Sequence, residues 1–106
     1  MKKYRVIVSP DAKEDLRRAL SYIKKELKNP QAARNVMDDY IDTRKTLSNT
    51  AASLKEPEPD SICEKRGLKR INFLRHNYFI LFKLDGDDAI VTNIFHGMED
   101  YEEKLK

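Results

Sequence analysis

Cysteine and glycine are almost missing from this 106-residue chain, which holds one cysteine, Cys63, and three glycines. A single cysteine excludes an internal disulfide, and no Cys/His grouping has the spacing of a zinc site. With three glycines there is no glycine-rich phosphate loop, and no Ser/His/Asp grouping stands in a motif context. No hydrophobic run approaches the length needed to cross a bilayer, and the opening MKKYRVIVSPDA has too short an apolar stretch for a signal peptide. Repeats and low-complexity tracts are absent. The plain expectation is a soluble, cytoplasmic protein.

What is present is charge. Charged residues make up 37% and hydrophobic residues 40%, polar for a folded domain but well outside a disordered composition. At this length the chain is expected to form one domain, residues 1–106, around one core. The net charge of +3 is compatible with nucleic acid and equally with an acidic protein segment.

Residues 3–8 alternate and are β-branched, which predicts a first strand. Ser9-Pro10 then reads as a helix start, serine as cap and proline in the first helical position, with Asp11 favoured by the helix dipole. Ala12, Leu16, Leu20, Ile23 and Leu27 form one apolar stripe to about Lys28. Asn29-Pro30 repeats the signal and opens a second helix, with Ala33, Val36, Met37, Tyr40, Ile41 and Leu47 on its stripe. The short connection predicts an antiparallel helical hairpin. Glu56-Pro57-Glu58-Pro59 stops that helix, and residues 55–67 read as a surface loop.

Three strands follow. Leu68–Arg75 places Ile71 and Phe73 on one face and Arg70, Asn72 and Leu74 on the other; His76-Asn77 makes a turn. Tyr78–Leu84 is apolar throughout, so it belongs inside a sheet covered on both sides. Asp85-Gly86-Asp87-Asp88 suits a hairpin loop, Ala89–Phe95 is the last strand, and residues 98–105 are expected to form a short closing helix. The order β-α-α-β-β-β implies an α+β fold, a mostly antiparallel sheet packed against the hairpin.

Two groups of residues carry chemical possibilities. Lys65, Arg66, Lys69, Arg70 and Arg75, extended by His76, form a cluster without an interspersed acid. Such a group grips phosphate or carboxylate. The other reading is a solvated strand face, or a strip paired with acids elsewhere in the fold. No aromatic stacking pattern accompanies it, so sequence-specific nucleic-acid reading is poorly supported. His96 ends the last strand, and alternation puts it on the side of Ile90, Thr92 and Ile94. A histidine there is either a general acid or base or a rim residue bonded to backbone. Tyr101, with Glu99 and Asp100, follows closely.

These residues resemble the RelE/ParE superfamily of bacterial type II toxins, closest to the ParE-like branch. The resemblance spans nearly the whole chain: the Ser-Pro-Asp-Ala helix start, Gly67-Leu68-Lys69-Arg70-Ile71, NYFILFKL at 77–84 and NIFHG at 93–97. It implies a toxin that inhibits growth by binding DNA gyrase, acts without cofactor or metal, and is neutralised in a hetero-oligomer by a cognate antitoxin with an acidic, partly disordered tail. The tail would fold across the hairpin and sheet, and Lys65, Arg66, Lys69, Arg70, Arg75 and His76 would bind partner. RelE-like relatives instead cleave messenger RNA on the ribosome. By resemblance, a site of that kind here would use His96, with Arg70, Arg75 and Lys69 at the phosphate and Tyr101 assisting. Those nucleases keep an arginine where this chain has Phe79. A third possibility is a non-toxic remnant that retains antitoxin binding.

Overall fold

The computed structural model describes residues 3–54, 56–57, 59–98 and 105. Strand β1 (Arg5–Val8) leads into helices α1 (Pro10–Lys25) and α2 (Pro30–Thr50). A 3₁₀ turn, Ala51–Ser53, and a one-turn helix α3, Ile62–Lys65, precede strands β2 (Lys69–Asn72), β3 (Tyr78–Asp85) and β4 (Asp88–His96). Both cap-then-proline signals act as read. Ser9 Oγ accepts from the Ala12 N–H at 3.1 Å, and Asn29 Oδ1 accepts from the Ala32 N–H at 3.0 Å.

The sheet order is β1-β4-β3-β2, with β1 parallel to β4 and the other pairs antiparallel. The parallel pair follows from topology: β1 and β4 are separated by the whole hairpin, and β4 returns beside β1 in the same direction. One face of the sheet packs on the hairpin, where Phe82, Ile80, Val91 and Ala89 meet Val36, Tyr40 and Leu47. On the outer face Phe79, Leu81, Phe95 and Leu68 form a second cluster with Cys63 and Leu105. β3 is therefore buried on both sides, as its unbroken apolar run requires.

Three sequence expectations change. The span 55–67 contains α3, capped by Ser61, because the outer face of β3 needs apolar cover and Cys63 supplies part of it. The basic strand is shorter than expected, ending at Asn72. The third correction concerns the facing of His96. Leu81 pairs with Asn93 and Phe82 with Val91, so Thr92 is an extra residue, a β-bulge. Alternation resets there. Ala89, Val91 and Ile94 face the hairpin, Ile90 faces outward, and His96 lies on the hairpin side with Ile94, directly across from Tyr78. The closing helix expected over 98–105 lies outside the described residues except for Met98 and Leu105, as does Tyr101. Among the described residues no helix is long and apolar enough to cross a membrane.

Candidate functional site

The basic segment is organised around an acid. Asp39, in the middle of α2, is completely buried. Its carboxylate accepts hydrogen bonds from the backbone N–H groups of Leu74 at 3.1 Å and Arg75 at 3.0 Å. His76 Nδ1 donates to it at 2.6 Å. Burial alone would raise the Asp39 pKa, but the bonds from His76 and the Arg75 backbone, aided by the Arg75 charge, bring it below the usual carboxylate value. An ionised carboxylate thus clamps the turn between β2 and β3 onto the second helix.

The cluster that looks continuous in sequence divides in space. Arg75 pairs with Asp42 at 2.9 Å and lies 4.0 Å from Asp39, while His76 is spent on Asp39. Lys69 points to the hairpin side, where Nζ meets Glu56 at 3.0 Å and the Leu54 carbonyl at 3.4 Å. Arg66 donates to the carbonyl of Leu105. Lys65 is exposed on α3. Arg70 stands on the outer face, its guanidinium 3.9 Å above the Phe79 ring centroid and its Nε bonded to Asn72 Oδ1 at 2.9 Å. For Lys69, Arg75 and His76, pairing with acids elsewhere in the fold is what the structure shows.

His96 is built into a corner. Its ring meets Tyr78 edge-on at 5.0 Å between centroids, and its Nδ1 accepts the Met98 N–H at 3.0 Å. A neutral imidazole accepting at Nδ1 carries its proton on Nε2, so neither nitrogen is then poised to take one from a substrate. Next to it the Gly97 N–H bonds the Asn77 carbonyl at 2.8 Å, and a Cβ on Gly97 would lie 2.0 Å from Asn77 Oδ1. The Asn77-Tyr78 and His96-Gly97 steps of the two sequence blocks are thus one interlocked contact at the end of the sheet.

The described residues of the nuclease alternative, His96, Lys69, Arg70 and Arg75, do not converge. His96 and Lys69 lie on the hairpin side and Arg70 on the outer face, with the sheet between them, while Arg75 is held at the turn by α2. Phe79 is 1% exposed beneath Arg70, leaving no polar group at that position. Among the described residues no group of three His, Cys, Asp or Glu side chains is placed to hold a metal.

The family model described as ParE toxin of type II toxin-antitoxin system, parDE, matches residues 6–101. The chain belongs to the ParE toxin family. A solved structure titled "Chromosomal ParDE TA system from P. aeruginosa" superposes with a TM-score of 0.72 at 17% identity, covering 89% of this chain and 96% of that one. That likeness shows the shared fold. No curated protein matches.

Sequence reasoning missed two acids that shape this ParE-family chain. Asp39 sits between Val36 and Thr43 on the buried stripe of α2, and an acid at that spacing was the available signal. Asp15 is the other. It lines a cleft of about 840 Å³ between α1 and the C-terminal half of β4, with Tyr22, Ile23, Ile94 and His96. β1 is too short to cover this part of β4, so Asp15 Oδ2 takes the Ile94 N–H at 3.0 Å. Burial raises the Asp15 pKa, and the Ile94 N–H and Arg18 do not fully offset it. A raised acid favours the protonated folded state, so its ionised form opposes folding at neutral pH and the opposition fades as pH falls. Asp15→Asn keeps an acceptor without the charge and is expected to leave the melting temperature at pH 7 equal or a few degrees higher. A loss above about 1 kcal/mol would show that the charge itself stabilises the cleft.

Proposed function

We propose that this ParE-family chain is a growth-inhibiting toxin that acts by binding DNA gyrase in the cytoplasm and is neutralised by a cognate antitoxin in a hetero-oligomer. The observation that carries the binding reading is the separation of His96 from Arg70 by the sheet. In-line cleavage of RNA needs a base, a proton donor and cations around one phosphate. Here the residues that would supply them open to different sides, and His96 Nδ1 is occupied. The reading needs neither metal nor cofactor.

Of the six residues proposed to bind partner, Lys69, Arg75 and His76 serve mainly to hold the segment in shape through Glu56, Asp42 and Asp39. Lys65, Arg66 and Arg70 lie on the outward part of the segment and are the better contacts for an acidic tail.

The test is expression in cells without the antitoxin. Growth arrest with DNA-damage signalling and trapped gyrase–DNA complexes is the expected result. It should persist in His96→Gln, which retains an acceptor for the Met98 N–H. Codon-linked cuts in messenger RNA that disappear in His96→Gln would replace the gyrase reading with the nuclease. Normal growth would identify a non-toxic remnant.

A further inference from the structure

Beyond Val91 the flank of β4 has no strand beside it. β1 ends its pairing there, while β4 runs on to His96. The cleft left between that flank and α1 follows the helix from Asp11 to Ile23 and reaches Leu27. At a rise of about 1.5 Å per residue the helical part is about 18 Å long, room for about five residues of extended chain. A compact small molecule would fill only part of it.

The two ends of the cleft differ in chemistry. Near the start of α1 stand Asp11, Glu14 and Asp15, with Arg18 the one cation in the described lining. Arg18 spans the last two, 3.8 Å from Glu14 and 3.3 Å from Asp15, so a guanidinium fits between these carboxylates. Arg17 also meets Glu14, at 2.8 Å from outside the cleft. Asp11 has no cation within ion-pair distance among the described residues. The helix dipole accounts for an acid in the first turn, which covers Asp11 but not Asp15, turned inward to the Ile94 N–H. At the other end Ile23 is buried, while Tyr22 and Leu27 are each 57% exposed. An acid excess at one end and open apolar side chains at the other form a distinct surface on a chain of net charge +3.

We infer that the cleft between α1 and the uncovered flank of β4 is a docking groove for a protein segment that is basic at one end and apolar at the other. Asp11, Glu14 and Asp15 receive its lysine or arginine, and Tyr22, Ile23 and Leu27 receive its apolar side chains. The same carboxylates repel an acidic tail. This groove therefore serves a different partner from the one assigned to Lys65, Arg66 and Arg70. The inference does not depend on the toxin reading.

The experiment uses the full chain and three probes: a labelled peptide with arginines in one half and leucines in the other, its glutamate–leucine counterpart, and spermidine. Binding is followed by fluorescence anisotropy and by amide shifts in NMR. The arginine peptide is expected to bind, to shift the Asp15, Tyr22 and Ile94 amides, and to weaken as salt rises. Asp11→Asn combined with Glu14→Gln should lower its affinity about tenfold, and Tyr22→Ser should lower it by a similar factor. All three side chains are exposed, so the melting temperature should change little. Affinity unchanged in both variants, or shifts confined to β2, would overturn the groove. Equal binding of the glutamate peptide at the same amides would overturn the charge preference and with it the proposed partner. Spermidine that shifts these amides as tightly as the peptide would reassign the cleft to a small polyamine.

Discussion

Asp39→Ala is expected to destabilise the protein by about 2–4 kcal/mol, because it strands the Arg75 N–H and the His76 ring nitrogen and leaves the Leu74 N–H only its longer bond to Thr43 Oγ1 at 3.3 Å. For a domain of this size that is a fall of about 10 °C or more in melting temperature. Asp39→Asn should be intermediate, since its amide oxygen can serve one of the donors but its NH₂ cannot. The pH dependence follows from the lowered pKa of Asp39. A carboxylate whose folded pKa is below its unfolded value stabilises fully above the unfolded value, about 3.9, and loses that contribution as pH falls through the folded one. The wild-type protein should therefore lose stability below about pH 4, and Asp39→Asn should show a flatter acid limb. Thermal denaturation between pH 2 and 7 measures both. An Asp39→Ala variant as stable as wild type would mean that water serves the turn as well as the carboxylate does.

Gly97→Ala is the second large effect. The added methyl would collide with the Asn77 side chain, where its amide oxygen is 2.0 Å from the ideal Cβ position. Asn77 is exposed, so its side chain has to rotate away, while the bond from the Gly97 N–H to its carbonyl keeps the two backbones close. The cost should be about 1 kcal/mol, that of forcing the Asn77 side chain from its present rotamer. Truncating the partner offers the check. Asn77→Ala combined with Gly97→Ala should recover much of the loss, giving a coupling energy of about 1 kcal/mol in a double-mutant cycle. Strict additivity would place the origin of the cost in the Gly97 backbone, away from the Asn77 contact.

Both effects arise where chain segments distant in sequence meet, and that explains what could be read in advance. The two helices were legible because each carries its own start signal and its own apolar stripe. β3 was legible as an interior strand because an unbroken apolar run has one stable environment. The short helix at Ile62–Lys65 was not, since four residues are too few to show a period. His96 shares a face with Ile94 as alternation predicts but not with Ile90, because alternation presumes an unbroken ladder and the extra residue Thr92 shows only once β3 and β4 are paired. The basic cluster was visible as composition, while the acids it meets, Asp39, Asp42 and Glu56, lie between thirteen and thirty-seven residues upstream of their partners Lys69, Arg75 and His76.

The sequence by itself determined which segments become helix and strand, the α+β order and the toxin-superfamily likeness, because these depend on local spacing and on near-neighbour chemistry. Only the tertiary structure decided which cations remain available and which side His96 occupies. Ion pairing and strand register are set by through-space distances of a few ångströms, and those exist only after the hairpin has closed over the sheet.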